Sequence, residues 1–340
     1  MNITCKTHIF SIILNLQFKN MKAVLLSAGL GTRLLPITKK ISKQMIPIAG
    51  KPLLEYIIRD LVSCGIDHIC IVVGHLENQI KEYFHEGEKF NLKIQYVLQK
   101  NYKGTADAIL YAKDFVGNDP FLLYHADTII SPDFINKINQ MKNSSYDVEI
   151  LTSKVPESLL NSVGTVVTDK KNFVIQIDEK SNQPKSKLGW SGVAIFNNNT
   201  IFEEITKLDF QNSEEVNITD GINRLISLEK TVHNSTCSSF IDSGTPNGLL
   251  TVSKYILKEK ILDVEYKLKN SKITKPTFIG KNCDIENDCL IGPYTSIENN
   301  VLIHEHVTIQ NSIILDDVEI SPNQKIIDKI FSKHGNLSAT

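Results

Sequence analysis

The chain is poor in tryptophan and methionine, with one Trp and four Met in 340 residues. It has no long apolar run, no lysine- or arginine-rich block and no Cys-x-x-Cys pair. Each absence excludes something. A formal net charge of −1 without a basic cluster leaves no electrostatic footprint for nucleic acid or for an anionic membrane surface. The six cysteines, at 5, 64, 70, 237, 283 and 289, have no metal-ligand spacing with one another or with histidine. Cys64 and Cys70 lie in or beside apolar segments and read as packed free thiols, so a reducing, cytoplasmic setting is expected. Residues 9–16 are apolar but far too few to span a bilayer. Residues 2–8 carry a single lysine and no small-residue cleavage site follows, which makes a poor signal peptide. Met21 stands just before the first strand-like run, so residues 1–20 are expected to be an extension upstream of the natural start.

What is present is a globular composition, 41% apolar and 22% charged, at a length that allows one large domain and a smaller one. From Met21 onward, strand and helix patterns alternate. Residues 23–27 form an apolar run that ends in glycines. Residues 53–62 carry apolar side chains at 54, 57, 58, 61 and 62, which is helical spacing, and Gly65 follows. Strand patterns at 69–73, 94–98 and 121–124 alternate with helix patterns at 77–84 and 106–115. This predicts an α/β fold with a doubly wound, mostly parallel, Rossmann-like sheet. Sites in such sheets lie at the carboxyl ends of strands, where the glycine run, Gln99 and Asp127 fall. Residues 148–260 read as mixed α and β, with Gly189 to Gly192 as a turn entering a strand.

A different period appears near the C-terminus. Ile279, Ile285, Ile291, Ile297, Ile303, Ile309 and Leu315 recur every six residues, and Cys283, Cys289, Thr295, Val301, Val307 and Ile313 stand two residues before each of the last six. A hexapeptide repeat of this kind predicts a small parallel β-helix, with aliphatic residues stacked inside and Asn or Gly at the corners. Cys283 and Cys289 fall on adjacent sides of such a coil, and no disulfide is expected between them. The expected organisation is therefore an N-terminal extension (1–20), a catalytic domain (21–262), a linker (263–275), a β-helix (276–322) and a C-terminal tail (323–340). Terminal coils need covering, so the β-helix is expected to pack on the catalytic domain or on a second copy in a homo-oligomer.

The most specific local feature is Leu25-Leu26-Ser27-Ala28-Gly29-Leu30-Gly31-Thr32-Arg33, with Lys43 ten residues on. A strand that breaks into Gly-x-Gly lets backbone N–H groups approach an anion, and Arg33 adds a fork suited to phosphate oxygens. Leu34 stands where a dinucleotide fingerprint needs its third glycine, and the Gly-Lys-Ser/Thr of a P-loop is missing. Dehydrogenase and P-loop ATPase chemistry are both disfavoured.

The run Gly29 to Thr38, followed by Ser42-Lys43-Gln44, Pro47 and Gly50-Lys51-Pro52, resembles the signature of the sugar-1-phosphate nucleotidyltransferases. Its Ser-Lys-Gln form is similar to the glucose-1-phosphate thymidylyltransferase branch with a C-terminal left-handed β-helix, while Gly-Leu-Gly-Thr-Arg and Thr38-Lys39 also resemble uridylyltransferases. The resemblance implies a reaction in which a sugar-1-phosphate oxygen attacks the α-phosphorus of dTTP or UTP and pyrophosphate leaves. The nucleophile is already an anion, so the catalytic task is alignment and charge neutralisation, which calls for Mg²⁺, carboxylates and cationic side chains.

The resemblance also implies roles. Arg33 and Lys43 would be the catalytic cations. Leu26, Ala28, Gly29, Gly31, Thr32, Gln99, Gly104 and Thr105 would bind the nucleotide, with the Gln99 amide pairing with N3–H and O4 of the base. Asp127 and Asp242 would hold the metal. Gly164, Glu179 and Lys180 would take the sugar phosphate, and Ser181 departs from the proline usual after that lysine. Two other functions are weighed. A bifunctional enzyme would also transfer an acetyl group in its β-helix, with His304 as base. A non-catalytic regulatory relative is disfavoured because Arg33, Lys43, Asp127 and Asp242 are all present.

Overall fold

The computed structural model describes residues 21–213, 215–259 and 270–339. The expectations for residues 1–20 and for positions 263–269 of the linker lie outside these. By Cα proximity the chain divides into two compact units. The first comprises residues up to 29, 58–126 and 130–240; the second comprises 30–57, 127–129 and 241 onward. Residues 30–57 therefore group with the C-terminal region and not with the large sheet.

The first unit is built on a nine-stranded sheet. Strand Lys22–Ser27 lies between strands His68–Val73 and Phe121–His125, parallel to both, and Lys93–Leu98 extends the sheet in parallel beyond His68–Val73. Ala23, Val24, Leu25, Ile69, Cys70 and Ile71 are fully buried. Both faces are covered, which is why these strands read as continuous apolar runs without alternation. Lys22, the first residue of its strand, donates from Nζ to the Phe115 and Val116 carbonyls at 2.8 and 3.2 Å, at a helix C-terminus where carbonyls lack intrahelical partners.

Beyond Phe121–His125 most pairings are antiparallel, and only Val232–Thr236 runs parallel to its neighbour, Val148–Lys154. Strand Leu188–Phe196 pairs with Phe121–His125 and with Val148–Lys154, and Gly164–Thr168 pairs with Val174–Glu179. Gly189 and Gly192 do not form a turn before a strand, as expected, but lie inside Leu188–Phe196 at a register break between Trp190 and Val193. Gly192 takes φ +78°, and a Cβ there would meet the His125 ring at 2.7 Å. A glycine inside a strand is thus used for a bulge. The Trp190 indole N–H donates to the Val193 carbonyl at 3.0 Å, so the single tryptophan belongs to the core.

The second unit contains three stacks of short parallel strands: Lys272–Ile273, Leu290–Ile291, Thr308–Gln310 and Lys325–Ile327; Thr277–Ile279, Thr295–Ile297, Ile313–Ile314 and Lys329–Phe331; and Asp284–Ile285, Leu302–Ile303 and Glu319–Ile320. Ile291, Ile297, Ile303 and Ile309 are buried at the six-residue spacing. Left-handed residues mark the corners: Asn282, Asp288, Tyr294, Asn300, His306, Asn311, Asp317, Asn323 and Asp328. The spacing shortens by one residue between His306 and Asn311, and again between Asn323 and Asp328. Ile279 pairs with Ile297, but Ile297 pairs with Ile314, not Leu315. The period therefore first slips between Ile309 and Ile314, and Ser312, not Ile313, takes the place equivalent to Thr295. Residues 325–331, in the segment expected as a tail, continue the ladders.

The same unit holds the hairpin Pro47–Ile48 and Lys51–Pro52. At its tip the Ala49 N–H donates to Ser296 Oγ at 2.8 Å, and the Gly50 N–H donates to Glu298 Oε2 at 2.9 Å. Ser296 Oγ in turn donates to Glu298 Oε1 at 2.6 Å. Gly50 has φ +78°, and a Cβ on it would meet the Phe278 ring at 2.8 Å. Cys64, Cys70, Cys237, Cys283 and Cys289 are all free thiols. Burial pushes Cys64, Cys70 and Cys237 up to about 12, which keeps them protonated and inert. Among the described residues, no helix is long and apolar enough to cross a membrane.

Candidate active site

In the second unit, four charged side chains far apart in sequence are brought together. Residues 28–31 leave the first strand as a loop, followed by short 3₁₀ turns at Thr32–Leu34 and Lys43–Met45. Gly31 has φ +66°, and a Cβ there would meet Thr38 Cγ2 at 2.9 Å and Lys43 Cβ at 3.3 Å. The Thr38 hydroxyl closes the loop by donating to the Gly31 carbonyl at 2.8 Å. Gly29 differs: its missing Cβ would meet nothing within 4 Å, so one face of the loop is open. Arg33 and Thr32 are exposed on this loop, while Lys43 is buried.

Lys43 Nζ lies 2.5 Å from Asp127 Oδ2. Arg33 Nη2 lies 3.9 Å from Asp242 Oδ2. The backbone between the two aspartates is locked as well. Ser243 donates its N–H and its hydroxyl to the Asp127 carbonyl, at 2.8 and 2.7 Å. The Gly244 N–H donates to Asp242 Oδ1 at 2.7 Å. Gly244 has no room for a side chain, because a Cβ would sit 2.6 Å from Arg33 Nη2 and 2.8 Å from Asp242 Oδ1. Burial raises the Asp242 carboxyl above its usual range, and the Asp127 charge adds to this; Lys43, the Gly244 N–H and Arg33 oppose it. Two carboxylates close enough to repel one another, each with hard oxygen donors, fit a divalent cation such as Mg²⁺. Among the described residues no set of three or more carboxylate, imidazole or thiol groups converges, so any such ion would need ligands from substrate and water.

Gln99 and Gly104 meet in the first unit. Gln99, buried just beyond strand Lys93–Leu98, donates from Nε2 to the Gly104 carbonyl at 3.1 Å and to Asp107 Oδ2 at 2.8 Å. Both amide N–H donors are therefore engaged, and Oε1 accepts no hydrogen bond from the described residues. The expectation that this amide donates to a base O4 does not fit that arrangement. Gly104 has φ +99°, and a Cβ there would lie 2.3 Å from the Val216 carbonyl, so the position admits only glycine. The Thr105 hydroxyl accepts from the Ile218 N–H at 2.9 Å and donates to Asn217 Oδ1 at 3.3 Å. It is committed to the start of helix Ile218–Ser227. The Leu26 carbonyl is committed too, accepting from the Ala126 N–H at 3.1 Å, and Ala28 is buried against Gly74.

Gly164, Glu179 and Lys180 are also neighbours in this unit. Gly164 faces Glu179 across two antiparallel strands, and a Cβ on Gly164 would touch Glu179 Oε2 at 3.0 Å. Thr219 Oγ1 donates to the same oxygen at 3.1 Å. Burial raises the Glu179 carboxyl, partly offset by Lys180, whose Nζ lies 3.8 Å away, and by Thr219. Thr219, Asp107, Ser243 and Gly244 are the participants that sequence reasoning did not single out as site residues. Only Gly244 carries a signal, as a glycine two residues after Asp242.

His304 lies between two carboxylates, with Nε2 2.7 Å from Glu319 and Nδ1 3.2 Å from Glu286. Hydrogen bonding to Glu319, then to Glu286, raises its pKa, although partial burial opposes this. An imidazole with both nitrogens occupied by acceptors is a poor general base.

Comparison with known proteins gives two family matches. Residues 22–259 match the nucleotidyl transferase family, and residues 273–339 match the family described as the GMPPB C-terminal domain. The low-salt glycan biosynthesis nucleotidyltransferase Agl11 of Haloferax volcanii is 32% identical over 244 residues, covering 71% of this chain and 68% of that protein. A glucose-1-phosphate thymidylyltransferase of Streptomyces griseus is 29% identical over 279 residues, covering 76% of this chain and 78% of its own. A crystal structure of UDP-glucose pyrophosphorylase complexed with UDP-glucose superposes with a TM-score of 0.63 at 25% identity, covering 71% of this chain and 99% of that one.

Proposed function

The chain belongs to the nucleotidyl transferase family, and from that premise we propose that it joins dTTP or UTP to glucose 1-phosphate, releasing pyrophosphate and forming the nucleoside diphosphate sugar. The observation that carries this reading is the grouping of Arg33, Lys43, Asp127 and Asp242. The names of the similar proteins support the sugar and the pyrimidine: one is a glucose-1-phosphate thymidylyltransferase, and another binds UDP-glucose.

In this proposal the loop N–H groups and Arg33 hold the β- and γ-phosphates, which become the leaving pyrophosphate. Lys43 neutralises charge on the α-phosphate as the sugar-phosphate oxygen approaches it. Its pairing with Asp127 holds the ammonium in place before substrate arrives, so less reorganisation is needed in the transition state. Asp127 and Asp242 would hold Mg²⁺, which when bound supplies charge neutralisation for the phosphates. Gln99 accepts a hydrogen bond from the base. Glu179, steadied by Thr219, accepts from sugar hydroxyls, and Lys180 meets the sugar phosphate. The C-terminal ladders are read as a left-handed β-helix with a structural role, since His304, the base named for the acetyl-transfer alternative, is engaged by Glu286 and Glu319.

The test is a matrix of nucleoside triphosphates against hexose 1-phosphates, read by pyrophosphate release in Mg²⁺. Turnover confined to dTTP or UTP with glucose 1-phosphate is expected. Preference for a purine nucleotide, or for N-acetylglucosamine 1-phosphate over glucose 1-phosphate, would overturn the substrate assignment while leaving the reaction class intact.

A further inference from the structure

Asp107 lies on helix Thr105–Leu110, eight residues from Gln99, and has no part in the roles described above. Its Oδ2 accepts from Gln99 Nε2 at 2.8 Å, and the Gly104 carbonyl accepts from the same nitrogen at 3.1 Å. A carboxylate and a carbonyl accept hydrogen bonds and cannot donate them. An amide between two such partners must turn its NH₂ toward both, because the flipped amide would set its oxygen against two oxygens. Amide orientation, normally assigned and not observed, is here dictated by chemistry. The group left facing outward is the Gln99 oxygen, an acceptor only. The Gly104 N–H, beside it, makes no hydrogen bond among the described residues.

We propose that Asp107 is a specificity-determining positioning residue: by fixing the Gln99 amide with its oxygen outward, it makes the site select a pyrimidine that carries N3–H. Uracil and thymine present a donor at N3 next to carbonyl acceptors. Cytosine presents a lone pair at N3, which would face the Gln99 oxygen and leave both unsatisfied. The discrimination comes from mispairing against cytosine, so it operates between nucleotides of the same size and charge. This inference rests on the proposal that Gln99 contacts the base, and it extends that proposal to the residue that sets the polarity of the amide.

The test is nucleotide binding, not turnover. Affinities for UTP, dTTP and CTP are measured by calorimetry on the full chain, its Asp107→Ala variant and its Asp107→Lys variant. Alanine removes one of the two acceptors, and lysine replaces it with a group that only donates. The wild type is expected to favour UTP and dTTP over CTP. The UTP-to-CTP affinity ratio should fall by roughly tenfold in Asp107→Ala, equivalent to one misassigned hydrogen bond, and further in Asp107→Lys. A merely structural role would weaken all three nucleotides equally and leave the ratio untouched. An unchanged ratio in both variants, or a wild type that binds CTP as tightly as UTP or binds none of the three, would overturn the assignment. Failure of the transferase proposal is seen separately, as a wild type that binds UTP selectively yet releases no pyrophosphate.

Discussion

Ser243 donates both its backbone N–H and its hydroxyl to one oxygen, the carbonyl of Asp127, at 2.8 and 2.7 Å. The two residues are 116 positions apart, and the pair of hydrogen bonds fixes the backbone of one candidate metal-binding aspartate beside that of the other, Asp242. Ser243→Ala keeps the N–H bond and deletes the hydroxyl. It is expected to cost about 1 kcal/mol of stability, the net worth of one buried hydrogen bond. Turnover should fall by roughly tenfold, because a small displacement of a positioned carboxylate is amplified in the rate. Thermal melts and kcat check the pair; lost stability with unchanged kcat would show that the bond serves the fold alone.

Asp242→Asn separates function from stability. The raised Asp242 carboxyl means that its ionised form is disfavoured in the folded chain, chiefly by burial and then by Asp127. The neutral amide relieves that burden, so the variant should melt at or above the wild-type temperature at pH 7. Its turnover should drop by about a thousandfold, as expected when a group that stabilises transferring phosphates is removed. A variant that is both less stable and still active would contradict the role given to Asp242.

The two glycines of the phosphate loop should respond in opposite ways. Gly31→Ala forces φ +66° on a residue with a Cβ and drives that Cβ to 2.9 Å from Thr38, so it should destabilise the fold. Gly29→Ala meets nothing, so stability should be unchanged. Its methyl would instead occupy the open face of the loop and weaken triphosphate binding by roughly tenfold or more. Equal nucleotide affinity in Gly29→Ala and wild type would show that triphosphate does not approach that face.

Much of this was legible in the chain before its structure, and the reasons differ by residue. Arg33, Lys43, Asp127 and Asp242 sit in runs whose glycines and strand ends announce themselves, and the structure draws all four together. Gln99 and Gly104 were also identifiable, but the amide's polarity was not, because it depends on Asp107, an acidic residue on a short helix that looks like any solvated side chain. Ser243 was equally silent: its role needs the carbonyl of a residue 116 positions away. The six-residue period located the C-terminal ladders, yet it also carried Leu315 into register by coincidence. The slip is visible in the structure, where Asn311 follows His306 after five residues and Ile297 pairs with Ile314. The grouping of residues 30–57 with the ladders was not legible, because it is made at the hairpin tip by Ser296 and Glu298.

Glu298 provides a pH signature for that hairpin. It is fully buried, and burial pushes its carboxyl from 4.5 up to about 7, against the pull of Ser296 and the Gly50 and Ala49 N–H groups. Below about pH 4.5 the carboxyl is protonated in both folded and unfolded chains. As pH rises, the unfolded chain ionises first, so stability is lost through the window from about 4.5 to about 7. The loss attributable to this group is roughly 3 kcal/mol. Glu298→Gln cannot ionise and retains an acceptor for Gly50. Its melting temperature should fall less than that of the wild type between pH 5 and pH 8, and parallel curves for the two proteins would exclude Glu298 as the source.

Pyrophosphate release by the wild type and by Lys43→Ala, with dTTP or UTP, glucose 1-phosphate and Mg²⁺, bears most directly on the proposed reaction. Release by the wild type that requires both substrates, together with a loss of at least about a hundredfold in a lysine variant that still folds, is the expected result. No release by the wild type with any triphosphate and sugar phosphate, or equal release by a folded Lys43→Ala, would contradict it.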